Sequence, residues 1–141
     1  MIRALVPVDG SPNSQRAVRY LIGLMRQREP MEIHLLNVQE PIDSLELRRF
    51  KPPREIRRMQ QRRGAAQLRP ARARLDNAGV RYVAHVSIGR VAETIVRFAK
   101  RRHCDSIIMG TRGMTSLANL LLGSVATKVI HLSRVPVTLV K

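Results

Sequence analysis

A chain of 141 residues, 44% of them hydrophobic, is long and apolar enough for one domain with an ordinary core, which excludes a disordered chain. Its single cysteine, Cys104, excludes an internal disulfide framework, and no apolar run approaches the ~20 residues of a membrane span. Lys and Arg outnumber Asp and Glu by 26 to 10, a net charge of +16 that favours encounter with any polyanion and specifies none.

The predicted elements begin with a buried strand over Ile2–Val8, too short for a signal peptide and interrupted at once by Asp9 and Gly10. The expected location is therefore cytoplasmic. The turn-rich DGSPNS follows, with Ser11 as N-cap and Pro12 as the first helical residue. Ala17, Leu21, Leu24 and Met25 give that helix one apolar face, and Pro30 ends it. MEIHLLNV, 31–38, is the second strand. Pro41, Pro52 and Pro53 then mark a loop before a basic helix from about Arg54 to Ala78, where Pro70 predicts a kink or break and Gly79 a stop.

Between Arg48 and Arg74 stand eleven basic residues against Glu55 alone, which places +10 of the net charge in one segment. A solvated basic helix and a polyanion-binding surface are both compatible with it. VRYVAHVSIG, 80–89, is a third strand, and RVAETIVRFAKRRH a helix with Glu93 near its start and Lys100, Arg101 and Arg102 near its end, as the helix dipole favours. DSIIMG, 105–110, is the fourth strand, Ser124–Leu132 the last helix, and PVTLVK, 136–141, the fifth strand. Strands alternating with helices predict right-handed crossovers and a mainly parallel sheet.

The stretch IIMGTRGMTSLANLLLGSVATKVI, 107–130, holds two glycine clusters. In an open parallel sheet, ligands lie at the carboxyl ends of the strands where the strand order reverses. Asp9 and Gly110 fall at two such ends and would face one crevice if their strands are neighbours. Gly113 would let backbone amides approach an anion, while Gly123 and Ser124 open a helix whose first amides favour phosphate. Tight turns alone would also explain these glycines. Neither a P-loop nor a G-x-G-x-x-G after the first strand is present.

The spacing Gly110-x-x-Gly113, nine residues, then Gly123-Ser124 resembles the ATP-binding motif of the universal stress protein family. The resemblance extends over essentially the whole chain, through ALVPVDGSPNSQRAV, HLLNV, IIMGTRG and GSVATKVIHLSRVPVTLVK. It implies one domain over 1–141 with an adenine nucleotide alpha-hydrolase-like (Rossmann-like) α/β fold. The implied sheet is open, parallel and five-stranded, in the order 3-2-1-4-5, with helices on both faces.

The resemblance further implies that ATP is bound, with or without Mg. Pro7 and Val8 would line the adenine site, Val38 would offer backbone hydrogen bonds to the base, and Met109 would pack nearby. Asp9 would contact the ribose and Gly110 would sit beside it. Gly113, Gly123, Ser124 and Val125 would bind phosphates, and Arg112 would lean toward them or into solvent. A homodimer joined through the last strand is also implied, as is a regulatory role in the stress response.

Slow ATP hydrolysis is an alternative, as is a salt-dependent nucleic-acid contact through Arg48–Arg74. An adenylate-forming enzyme fits less well, because Pro12 interrupts the turn where a pyrophosphate loop would lie. His34, His85, His103 and His131 show no metal-ligand spacing and are expected to serve packing or surface roles. No catalytic residue and no metal ligand is assigned.

Overall fold

The computed structural model describes residues 1–27, 30–42, 44–111 and 122–141. Among these residues the chain runs β1 (Ile2–Pro7), α1 (Pro12–Met25), β2 (Met31–Gln39), α2 (Leu45–Phe50), α3 (Pro53–Asn77), β3 (Tyr82–Ile88), α4 (Val91–Arg101), β4 (Ser106–Gly110), α5 (Ser124–Leu132) and β5 (Val137–Val140). The strands pair in parallel in the order β3-β2-β1-β4-β5, as expected. β1 is central, in register from Ile2 opposite Met31 to Pro7 opposite Leu36, with β4 on its other side. The chain winds outward through β2 to β3, then α4 returns it past β1 to β4. That reversal opens a crevice between the carboxyl ends of β1 and β4.

Alternation along the strands divides the core into two layers. Ala4, Val6, Ile33 and Leu35 pack with Ala17, Val18 and Leu21 of α1 and Leu68, Ala71 and Leu75 of α3. On the other face Leu5, Leu36 and Ile107 pack with Ala92, Ile95 and Ala99 of α4 and Ala126 and Val129 of α5. Cys104 is buried in this second layer, and burial pushes its thiol pKa up, so it serves as a small hydrophobe.

Local sequence sets several helix ends. The Ser11 hydroxyl accepts from the Ser14 N–H at 3.4 Å, and Pro12 occupies the first turn of α1. α3 ends at Gly79, whose φ of +69° suits glycine. There the Val80 N–H reaches the Leu75 carbonyl at 2.9 Å and the Gly79 N–H the Asp76 carbonyl at 3.0 Å, a Schellman closure. α4 closes in the same way with His103 at a φ of +52°, so this histidine occupies the place usually given to glycine.

Two expectations are corrected. The segment between Pro41 and Pro52 is not loop throughout: α2 forms there, its first turn held by the Ser44 hydroxyl accepting from the Leu47 N–H at 3.2 Å. Nor does α3 break at Pro70. Pro70 and Ala66, four residues before it, are both exposed, so the carbonyl left without its helical donor faces water.

Candidate functional site

A cavity of about 250 Å³ opens at the carboxyl ends of β1 and β4. β1 and the turn after it supply Pro7, Val8 and Asp9, while β2 adds Leu36 and Val38. Met109, Gly110 and Thr111 come from the end of β4, and Gly123, Ser124, Val125 and Ala126 from the start of α5. Nine of the residues singled out in the sequence thus line one space. Arg112 and Gly113 lie outside the described residues.

The remaining lining was not singled out as ligand-binding. Ser11, Asn13 and Ser14 come from the first turn of α1, and Val91 and Ile95 from one face of α4. Their i, i+4 spacing in α4 shows a buried face, but which strand ends it meets depends on the crossover. The lining is mixed: Leu36, Val38, Val91, Ile95 and Met109, which pack in one cluster, are apolar, and Asp9, Ser11 and Ser124 are polar.

Asp9 is exposed and fixed in place. Its Oδ1 accepts from the Ser11 N–H at 2.8 Å and the Ser14 hydroxyl at 3.1 Å, and its Oδ2 has no hydrogen-bond partner among the described residues. A carboxylate held by one oxygen presents the other as an acceptor for hydroxyl groups. Opposite it, α5 begins with Gly123 as N-cap and no side-chain capping bond. Helix geometry leaves the amides of this first turn without intrahelical acceptors, a standing site for an anion.

The two described glycines differ in what they do. A Cβ on Gly110 would overlap the Asn13 carbonyl oxygen and lie 2.5 Å from the carbonyl carbon, so β4 passes against the backbone of α1 there. Gly123 has φ −59° and ψ 153°, which any residue adopts, so what glycine contributes there is the absence of a side chain. Neither is explained by a tight turn of left-handed backbone.

Side chains behind the cavity tie β1 and β2 to α3. Asn37 Nδ2 donates to the Val8 carbonyl at 2.9 Å and to Gln67 Oε1 at 2.8 Å, and Gln39 Nε2 donates to Asn37 Oδ1 at 2.8 Å and to Gln67 Oε1 at 3.0 Å. Gly10, at φ +83°, lies against the Gln67 side chain, where a Cβ would meet carbon at 3.3 Å. All of these groups except exposed Gly10 are buried or half-buried, so satisfying them holds Val8, which lines the cavity, in place.

Two histidines do more than pack separately. His34 Nε2 lies 2.8 Å from Glu32 Oε1 and His34 Nδ1 lies 3.0 Å from His85 Nε2, with Phe98 edge-on to both rings. None of these four residues lines the cavity. Burial chiefly, then the neighbouring His34 and Arg102, holds the His85 pKa below the ordinary histidine value. As pH falls through about 6.5, the unfolded chain binds a proton that folded His85 refuses, so stability declines until the folded pKa is passed. Glu32, whose pKa is lowered by its hydrogen bonds to His34 and Arg3, loses its contribution in the same direction at lower pH. Thermal melts from pH 7 to 5 should therefore show a steeper fall in Tm for the parent than for His85→Gln. Parallel pH profiles would remove His85 as the cause.

The universal stress protein family model matches residues 1–141. The chain is 30% identical over 139 residues to universal stress protein MJ0531 of Methanocaldococcus jannaschii, covering 99% of this chain and 81% of the relative. It is 30% identical over 146 residues to YxiE of Bacillus subtilis, covering 99% and 98%. Among solved structures, that of MJ0577 superposes with a TM-score of 0.82 at 27% identity, over 99% of this chain and 95% of that one. A universal stress protein from Arabidopsis thaliana with AMP bound superposes at 0.70, with 20% identity over 100% and 92%. The Archaeoglobus fulgidus protein in complex with dAMP gives 0.67, with 23% identity over 100% and 98%.

Proposed function

The chain belongs to the universal stress protein family, and on that footing we propose that it is a cytoplasmic regulatory protein of the stress response that binds ATP, with or without Mg, in the cavity between β1 and β4. The observation that carries this reading is one cavity lined by an apolar cluster, a fixed carboxylate and a helix start with no side-chain cap. The adenine lies against Pro7 and Val8, with Met109 nearby and the Val38 backbone hydrogen-bonding the base. The free oxygen of Asp9 accepts from the ribose hydroxyls beside Gly110, and the phosphates meet the first amides of α5 at Gly123, Ser124 and Val125. Gly113 and Arg112 belong to the phosphate side of the same proposal. Nucleotide-bound members of the fold, with AMP and with dAMP, support an adenine ligand.

Titration calorimetry with ATP tests the reading, together with mass spectrometry of nucleotide carried through native purification. Asp9→Ala should weaken ATP about 10-fold, equivalent to about 1.4 kcal/mol. It should also erase most of the preference for ATP over deoxy-ATP, since an exposed carboxylate near phosphates would be repulsive rather than helpful. A variant that keeps the full ribose preference would remove Asp9 from the ribose site, and a parent that binds no adenine nucleotide would remove the reading itself.

The same proposal includes a homodimer through β5. This strand pairs with β4 along one side and stands at the sheet edge, where its residues are half-buried. An unpaired edge rich in β-branched residues favours pairing with its own copy about a two-fold axis. Val137→Pro removes one backbone donor and should weaken association about tenfold or more by sedimentation. A dimer unchanged in that variant would place the contact on another surface.

A further inference from the structure

The eleven basic residues between Arg48 and Arg74 are all exposed, and the structure arranges many of them in line. α3 is a single 25-residue helix whose buried side carries Ile56, Gln60, Gly64, Leu68, Ala71 and Leu75. Arg58, Arg62 and Arg69 project from the opposite side, with Arg54 leading into the row. At 1.5 Å per residue, Arg54, Arg58 and Arg62 stand about 6 Å apart along the axis and the row reaches Arg69 after about 22 Å. Between Arg62 and Arg69 only the small side chains of Ala65 and Ala66 lie in the row, and Glu55 at the first turn is the one acidic residue beside it. Among the described residues, none of Arg54, Arg58, Arg62 and Arg69 has an acidic partner. At the approach to this row Phe50 is 83% exposed between Arg49 and Lys51, an aromatic ring with no core to fill.

We propose that the outer face of α3, with Phe50 at its head, is a docking surface for single-stranded nucleic acid. The guanidinium row follows a phosphate backbone by charge, and the Phe50 ring stacks on one base, which a duplex would keep inside its own stack. A lipid surface fits less well. An interfacial helix must insert its apolar side, and that side of α3 is already buried against the sheet. The surface is separate from the cavity between β1 and β4, and this proposal stands whether or not that cavity binds ATP.

The test is fluorescence anisotropy of the full chain with a labelled 15-nucleotide oligothymidylate. Four phosphate contacts at a slope of about −0.7 each predict a roughly 50-fold loss of affinity between 50 and 200 mM salt. Replacing Arg54, Arg58, Arg62 and Arg69 together by Gln should abolish both the binding and its salt dependence. The matching four-fold Lys variant should retain most of each. Phe50→Ala should weaken binding about tenfold and leave the salt slope unchanged. No binding at 50 mM salt, a Gln variant equal to the parent, equal affinity for duplex of the same length, or equal affinity for vesicles of phosphatidylserine and phosphatidylcholine would each overturn the proposal.

Discussion

Gly110→Val is expected to cost the protein a large part of its stability and, on the proposed function, its ATP affinity. The atoms that a Cβ would overlap belong to the Asn13 backbone in the first turn of α1, not to a side chain that could swing aside. Relief requires β4 and α1 to separate. Each packs on β1, so the shift loosens the core as well as the mouth of the cavity. Overpacking of this kind costs about 3 kcal/mol, or roughly a 10 °C fall in Tm for a chain of this size. Since Gly110 and Asn13 both line the cavity, ATP affinity should fall by about 30-fold or more. Differential scanning calorimetry and nucleotide titration measure the two losses. A variant that melts with the parent would show that the approach of β4 to α1 is not tight.

Gly64→Ala should also destabilise, against the usual sign for a helix. In an open helix interior alanine is better than glycine by about 1 kcal/mol. At Gly64 the new methyl would lie 2.6 Å from Val86 Cγ1 and 2.8 Å from Asn37 Oδ1, so α3 must lift from the sheet. The expected net loss is about 2 kcal/mol in urea unfolding. Gly23 supplies the control, being exposed in α1 with nothing within 4 Å of a Cβ. Gly23→Ala should gain stability by a fraction of 1 kcal/mol up to the full amount. Equal and positive effects at both sites would mean that α3 does not seat on Val86.

Much of the fold was legible because its signals are local. Ser11 with Pro12 starts α1, Gly79 stops α3, and five apolar runs separated by helical stripes predict the parallel sheet. The spaced glycines, through the family they resemble, pointed to the end of β4 and the start of α5, which now face one cavity. What the sequence did not disclose depends on contacts between distant residues. His34 meets His85 across 51 positions, Asn37 meets Gln67 across 30, and no spacing rule relates either pair. Pro70 did not break α3, which runs unbroken past it. α2, at six residues, is too short to show a helical period.

The Asn37–Gln67 hydrogen bond joins two surfaces that would otherwise be strangers. Asn37 holds the Val8 carbonyl behind the cavity, and Gln67 belongs to the helix whose far side carries the arginine row. A ligand that shifted α3 would act on both through this bond, and thermodynamics makes any such coupling symmetrical. Whatever factor ATP imposes on the affinity for a polyanion, the polyanion must impose on the affinity for ATP. Gln67→Ala cuts the shared bond and should bring both factors toward one together. Reciprocity of this kind would let one small domain report occupancy of the proposed nucleotide site at a second surface without a hinge.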